Sequence, residues 1–290
     1  MEADRVKVAL VLSGGGIWAT GGIGVLRALE DLGYTPDFAV GTSSGAIIAS
    51  LWAIGVPVNE MSSLALSLSR RDVPISWRNI GGQLLGHRRL PEALLDGAPL
   101  WNKLSRWLHN RSIREVVHPL YVVATSLTER QTVVFGSEPI QHGTEFIVGG
   151  SEIDLLTAVR ASSAVPGFFS PILWQQHVLV DGGVGDDYPL DVAEVAGADR
   201  ALGLWIDEPA RWQIPSPRPH AFDVLVESMA VMIREITILR QRALSMSHVD
   251  LRLELSGHTV FERIPAIMEM AYEAAMKKRD HIDRLFSTTS

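Results

Sequence analysis

The chain has 290 residues, 47% of them hydrophobic and 20% charged, with a mean hydropathy of +0.15. That is enough apolar material for a buried core and excludes a disordered chain or a low-complexity polymer. Acidic residues outnumber basic ones 33 to 26 for a formal charge of −7, so no surface-wide attraction for nucleic acid is expected. Cysteine is absent, which removes disulfides, thiolate metal sites, iron–sulfur clusters and a cysteine nucleophile together and favours a reducing compartment.

The first apolar run is preceded by Glu2 and Asp4 and is too short for a signal-peptide core or a membrane span. The nearest approach to a spanning stretch, Ala46 to Val58, is broken by Ser50, Gly55 and Pro57. A cytoplasmic protein is expected, touching a membrane at most peripherally. Val6 to Leu12 reads as a buried strand running into Ser13-Gly14-Gly15-Gly16. A helix follows, marked by Ile23, Leu26, Leu29 and Leu32 and stopped by Gly33. A second strand, Phe38 to Val40, enters Gly41-Thr42-Ser43-Ser44-Gly45, and Ala46 to Ile54 then reads as a helix apolar all round, hence buried. Two successive strand-loop-helix units imply a parallel sheet with right-handed crossovers.

Val56 to Arg114 reads as helical and irregular, punctuated by Gly81-Gly82 and prolines. Leu120 to Ala124 and Thr132 to Phe135 are expected strands, Leu155 to Ser162 a helix, Val178 to Val180 a short strand delivering Asp181-Gly182-Gly183, and Ala201 to Ile206 a buried strand. Pro215 to Pro219 reads as a rigid loop, and the rest, with periodic segments at Phe222 to Leu244 and Ile264 to Leu285, as helical. No repeat or linker divides the chain. The expectation is one α/β domain over 1–290, with its motifs in a core of about 5–210 and a helical part at about 220–286.

Gly41-x-Ser43-x-Gly45 sits at a strand-to-helix bend that lifts the serine hydroxyl clear of the sheet, as a nucleophile elbow does. Such a pentapeptide arises by chance in roughly one chain in six, so its context carries the argument; the bland alternative is a turn with a serine cap. The amides of Gly14, Gly15 and Gly16 open a helix and can converge on an oxyanion. The same stretch reads Gly14-x-Gly16-x-x-Ala19, a dinucleotide fingerprint, but the acid that this pattern needs near the end of the second strand is replaced by Val40-Gly41-Thr42-Ser43. None of the late histidines His220, His248, His258 and His281 lies in a motif, and an α/β-hydrolase would place more strands before its elbow. Asp181 ends a strand and precedes two glycines, which makes it a candidate base.

Together these blocks resemble the patatin-like phospholipases, serine acyl hydrolases with a Ser-Asp dyad. Leu12 to Gly16 with Gly24-Val25-Leu26 is similar to that family's oxyanion loop and first helix, and Val40 to Ala46 to its elbow. Arg160 to Pro171 resembles the segment before its last catalytic strand, and Val180-Asp181-Gly182-Gly183 its Asp-Gly-Gly motif. The resemblance implies a three-layer α/β/α fold with a central, mostly parallel sheet. By it, Ser43 is the nucleophile, Asp181 the base and Gly14 to Gly16 the oxyanion hole of a lipid acyl hydrolase of phospholipase A, lysophospholipase or carboxylesterase type.

That reaction needs no metal or cofactor. The implied partner is a phospholipid or other acyl ester, not a nucleic acid. Trp18 stands where the family carries a basic residue, either occluding the site or lining an acyl pocket; Ser126 replaces a common aspartate; Asp186 and Asp187 are extra acids expected to raise the pKa of Asp181. Trp18, Ala19 and Ser126 suggest the alternative, a catalytically weak or silent lipid- or partner-binding protein.

Two apolar stripes complete the reading. Leu100, Trp101, Leu104, Trp107 and Leu108, with basic neighbours, fit a helix that packs on the core or covers the active site before a membrane-resting one. Met229, Met232, Ile236 and Leu239 fit the core or a contact in a homo-oligomer before a lipid channel.

Overall fold

The computed structural model describes residues 6–76, 93–140, 146–150, 152–207, 220–254 and 261–287. Among them are nine strands: β1 (Val8–Leu12), β2 (Phe38–Thr42), β3 (Leu120–Ser126), β4 (Gln131–Gly136), β5 (Phe146–Gly149), β6 (Ile172–Trp174), β7 (His177–Asp181), β8 (Arg200–Asp207) and β9 (Ser247–Glu254). The helices are α1 (Gly21–Leu32), α2 (Ser44–Ala53), α3 (Val58–Leu66), α4 (Ala98–Leu108), α5 (Leu155–Ser162), α6 (Leu190–Val195), α7 (Ala221–Ala243), α8 (Ile264–Lys277) and α9 (Arg279–Phe286).

All nine strands belong to one sheet, whose main path is β5-β4-β3-β2-β1-β8-β9. From β3 to β9 every neighbour on that path is parallel; β4 and β7 run antiparallel to β3, and β6 antiparallel to β7. Side chains alternate across the pleat. Leu10, Leu12, Val122 and Leu204 point into a core under α1, α2, α3, α5 and α8, while Ala9, Val11, Val123 and Trp205 point into a second core under α6. Both faces of the central strands are therefore covered, as hydrophobic parallel strands require. The result is the expected three-layer α/β/α fold.

The apolar face of α4 packs on the core: Leu104 and Leu108 are buried, and Leu100, Trp101 and Trp107 lie against the main cluster. One of its basic residues, Lys103, pairs with Asp72 at 2.7 Å. No helix among the described residues is long and apolar enough to cross a membrane.

Three strands depart from the sequence reading. Ser247–Glu254, expected within a helical C-terminal part, is β9, and its register runs parallel along all of β8. It is an edge strand, so His248, Asp250, Arg252 and Glu254 alternate with buried Leu251 and Leu253, and polarity hides the strand. β5 and β6 are too short to carry a period. Ile264 to Leu285 is two helices, divided at Lys278. Gly81-Gly82, the Pro215 to Pro219 loop and His258 lie outside the described residues.

Helices α1 and α8 cross at near-backbone distance: a Cβ on Gly24 would come within 2.0 Å of the Met268 carbonyl oxygen. Gly24→Ala must force these helices apart, and a loss of about 1–3 kcal/mol is expected. It would be read as a lower urea midpoint at unchanged slope.

Candidate active site

Residues 120–123 of β3 pair with β2, while residues 124–126, on the same edge, pair with β7. β2 therefore ends at Thr42, opposite Val123, where β7 ends at Asp181, opposite Ala124. Two strands arriving head to head place Ser43, the residue after β2, against the last residue of β7. Ser43 Oγ donates a 2.6 Å hydrogen bond to Asp181 Oδ2.

Ser43 has φ 55° and ψ −127°, a conformation costing on the order of 1–3 kcal/mol for a non-glycine residue. Its surroundings hold it there. The Ser43 amide donates to Ser162 Oγ at 2.8 Å, and that hydroxyl donates on to the Val123 carbonyl at 2.5 Å. Thr42 Oγ1 donates to the Asp186 carbonyl at 2.9 Å. The elbow glycines answer to crowding: a Cβ on Gly45 would lie 2.4 Å from the carbonyl oxygens of Leu12 and Ser13, and one on Gly41 would lie 2.6 Å from Ala46 Cα. The turn thus presses directly on the loop after β1.

Asp181 is buried, with 5% of its surface exposed. Its Oδ1 accepts the Gly183 amide at 2.8 Å, and its own amide is fixed on the Ala164 carbonyl. Burial pushes its pKa up to about 6, although the hydrogen bonds from Ser43 and Gly183 pull the other way. Burial accounts for the rise that the extra acids Asp186 and Asp187 were expected to cause. A carboxylate poised near neutrality beside a hydroxyl can take that hydroxyl's proton.

The glycine loop is anchored on β8. Ser13 Oγ accepts the Ile206 amide at 2.9 Å and donates to the Gly14 carbonyl. Gly14 packs on the elbow, a Cβ there falling 3.3 Å from Ser43 Cβ. Of the three expected oxyanion donors, Gly14 is already engaged: its amide donates to the Asp187 carbonyl at 3.2 Å. Gly15 and Gly16 are exposed, with φ 135° and 57°, and their amides make no hydrogen bond among the described residues.

A family model described as patatin-like phospholipase matches residues 10–194, the stretch that contains Gly14 to Gly16, Ser43, Ser162 and Asp181. The chain belongs to the patatin-like phospholipase family. The mouse patatin-like phospholipase domain-containing protein 6 is 27% identical over 199 residues, covering 68% of this chain and 13% of that protein. An NTE family protein of Mycobacterium tuberculosis is 28% identical over 198 residues, covering 68% of this chain and 48% of its own length. The chain therefore spans less than half the length of either relative. Among solved structures, VipD from Legionella pneumophila superposes with a TM-score of 0.53 at 14% identity, covering 96% of this chain and 67% of that one, which speaks for the fold.

Against this patatin-like background Trp18 takes a different place from the one expected. It belongs to a short 3₁₀ turn, Gly16–Thr20, that separates the loop from α1. There it is 1% exposed within the main core, with the Arg263 guanidinium 4.8 Å from its ring centre. It is one of the largest fully buried side chains of that core. Ser126 is likewise internal, bonded to His177 Nδ1 at 3.1 Å. Asp186 is held well above the ordinary carboxylate range, first by burial and then by the charge of Asp191. Neither of its oxygens receives a hydrogen bond among the described residues, so no donor offsets that rise as Ser43 and Gly183 do for Asp181. Among the described residues no histidine bonds Ser43 or Asp181.

Ser162 is the residue that sequence reasoning passed over. It lies inside the family-like Arg160 to Pro171 segment, but nothing local marks its hydroxyl as the clamp on an amide 119 positions away. Ser162→Ala strands the Ser43 amide and the Val123 carbonyl, an expected cost of about 1–3 kcal/mol, and frees the elbow to relax. A kcat loss of about tenfold or more at nearly constant KM is expected, with Ser162→Thr recovering most of it. Trp18→Arg is expected to destabilise the fold by about 3–5 kcal/mol by burying a guanidinium beside Arg263, with no gain in kcat. Thermal unfolding and ester kinetics on the same samples check both.

Proposed function

We propose that the protein is a lipid acyl hydrolase that works through a Ser43–Asp181 dyad. The observation that carries this reading is the 2.6 Å hydrogen bond from Ser43 Oγ to a buried carboxylate with a pKa near 6. Asp181 takes the serine proton as Oγ attacks an ester carbonyl, and the negative charge collects on the carbonyl oxygen. The open amides of Gly15 and Gly16 are the proposed donors to that oxyanion, narrowed from three because Gly14 is committed to Asp187. As the tetrahedral adduct collapses, the Asp181 proton passes to the leaving alcohol. A water, deprotonated by Asp181, then releases the acyl group and restores the serine. The relatives' names point to phospholipid as the acyl donor.

The non-catalytic alternative draws on Trp18, Ala19 and Ser126, and each has a packing or bonding role of its own here. The deciding experiment is labelling with a fluorophosphonate followed by peptide mapping. The label is expected on Ser43 and absent from Ser43→Ala; a stable, unlabelled wild type that turns over no ester would establish the silent reading. Both Ser43→Ala and Asp181→Asn are expected to lower turnover by at least about three decades with the fold retained. Alanine at His220, His248, His258 or His281 is expected to leave kcat within about tenfold.

Activity and stability are expected to respond to pH in opposite senses. The base is Asp181 ionised, so kcat/KM should climb about tenfold per unit up to a pH of about 6 and then level off. The folded protein holds this proton more tightly than the unfolded chain, whose carboxyl has its ordinary value of 3.8. The contribution of Asp181 to stability is therefore full below about pH 4 and falls by on the order of 3 kcal/mol as the pH rises to about 6. Urea unfolding of wild type and Asp181→Asn across that window measures the difference.

A further inference from the structure

Helix α7 is 23 residues long and buries only Thr237. Its inner side is tied to the body by ion pairs, Arg234 with Asp207 and Arg240 with Asp191, and Phe222 stacks edge-on against Phe168 at its start. Its outer side carries Leu225, Met229, Met232, Ile236, Leu239 and Ala243, at spacings that alternate four and three. This is the heptad pattern of a helix that meets another helix. The residues are not core, for Leu225 is 57%, Met232 55% and Leu239 60% exposed. A monomer has little reason to hold so continuous a stripe in water.

We propose that this seam pairs, antiparallel and about a two-fold axis, with the same seam of a second copy of the chain. Charge selects the occupant. The exposed ionic residues of the helix are Asp223, Glu235 and Arg242, acidic in balance on a chain of net charge −7, which gives an anionic bilayer no net positive charge to attract. Glu235 and Arg242 lie one heptad apart on the solvent flank of the seam. Among the described residues Glu235 has only a loose 4.0 Å contact, with Arg234 of its own helix. Antiparallel pairing about a centre between Ile236 and Leu239 sets Glu235 of each copy against Arg242 of the other, while Ile236 meets Leu239 across the axis. The pattern is complementary to itself. The seam is about 30 Å long, a small interface, so association in the micromolar range is expected.

Sedimentation velocity on the whole chain from about 1 to about 200 µM, a range that brackets such an affinity, provides the test. Wild type is expected to move from monomer to dimer. Met232→Glu and Leu239→Glu should remove the dimer, while far-UV circular dichroism confirms that the fold is kept. Glu235→Arg sets arginine against arginine and should weaken association by about tenfold; the double reversal Glu235→Arg/Arg242→Glu should restore it. A wild type that stays monomeric throughout overturns the proposal. So does a double reversal no stronger than the single one, since only a self-pairing seam is repaired by exchanging its own charges. A monomer whose pelleting with zwitterionic or anionic vesicles is lost in Leu239→Glu would assign the stripe to lipid instead.

Discussion

A β-strand edge can pair with one partner at a time, yet the inner edge of β3 has two, β2 along its first half and β7 along its second. That division is the constraint from which the site follows. Strands ending head to head leave a gap only as wide as a hydrogen bond, and the side chains at the two ends are Ser43 and Asp181. The other local features hold the ends in place: Ser162 fastens the serine's amide to β3 itself, Ala164 holds the aspartate's amide, and the Gly45 contact seats the elbow on the loop after β1. Strain at Ser43 persists because contacts from four chain segments leave its backbone no other place to go.

The first two strand-loop-helix units, the elbow and the Asp-Gly-Gly turn were legible because their signals are local. Buried parallel strands are runs of aliphatic residues, and each glycine stands where backbone touches backbone. What stayed hidden depends on partners far along the chain. The Gly14 amide looks as available as those of Gly15 and Gly16 until Asp187 returns to accept it. Trp18 borders the loop in sequence, but the 3₁₀ turn rotates it into the core. β9 alternates apolar and charged residues as an edge strand must, and such alternation between two long helical segments is easily absorbed into them. The stripe on α7 was legible as a stripe, but the sequence left core and contact surface equal, and only exposure separates them.

Asp181 and Asp186 form an instructive pair, five residues apart and almost equally buried. Burial raises both, and their neighbours then separate them. Asp181 receives hydrogen bonds from a hydroxyl and an amide, which stabilise its charge and stop the rise near 6. Asp186 receives none and faces Asp191, so its pKa is carried well above the ordinary carboxylate range. Donor placement, more than depth, sets the two carboxyls apart.

The antiparallel pairing of β7 with β3 also bears on how this scaffold tolerates change. The chain between Ser126 and His177 makes a long excursion through β4, β5, α5 and β6 before it returns, and the entropic cost of lengthening such an excursion grows only logarithmically. Its length is therefore nearly free, but its parity is not. Sliding β7 by one residue along β3 would turn the Asp181 side chain to the opposite face of the sheet, away from Ser43, with every strand still paired. Insertions that leave the β6–β7 hairpin in register are silent to the site, and one that shifts it by a single residue yields a folded protein with its carboxylate facing the wrong layer.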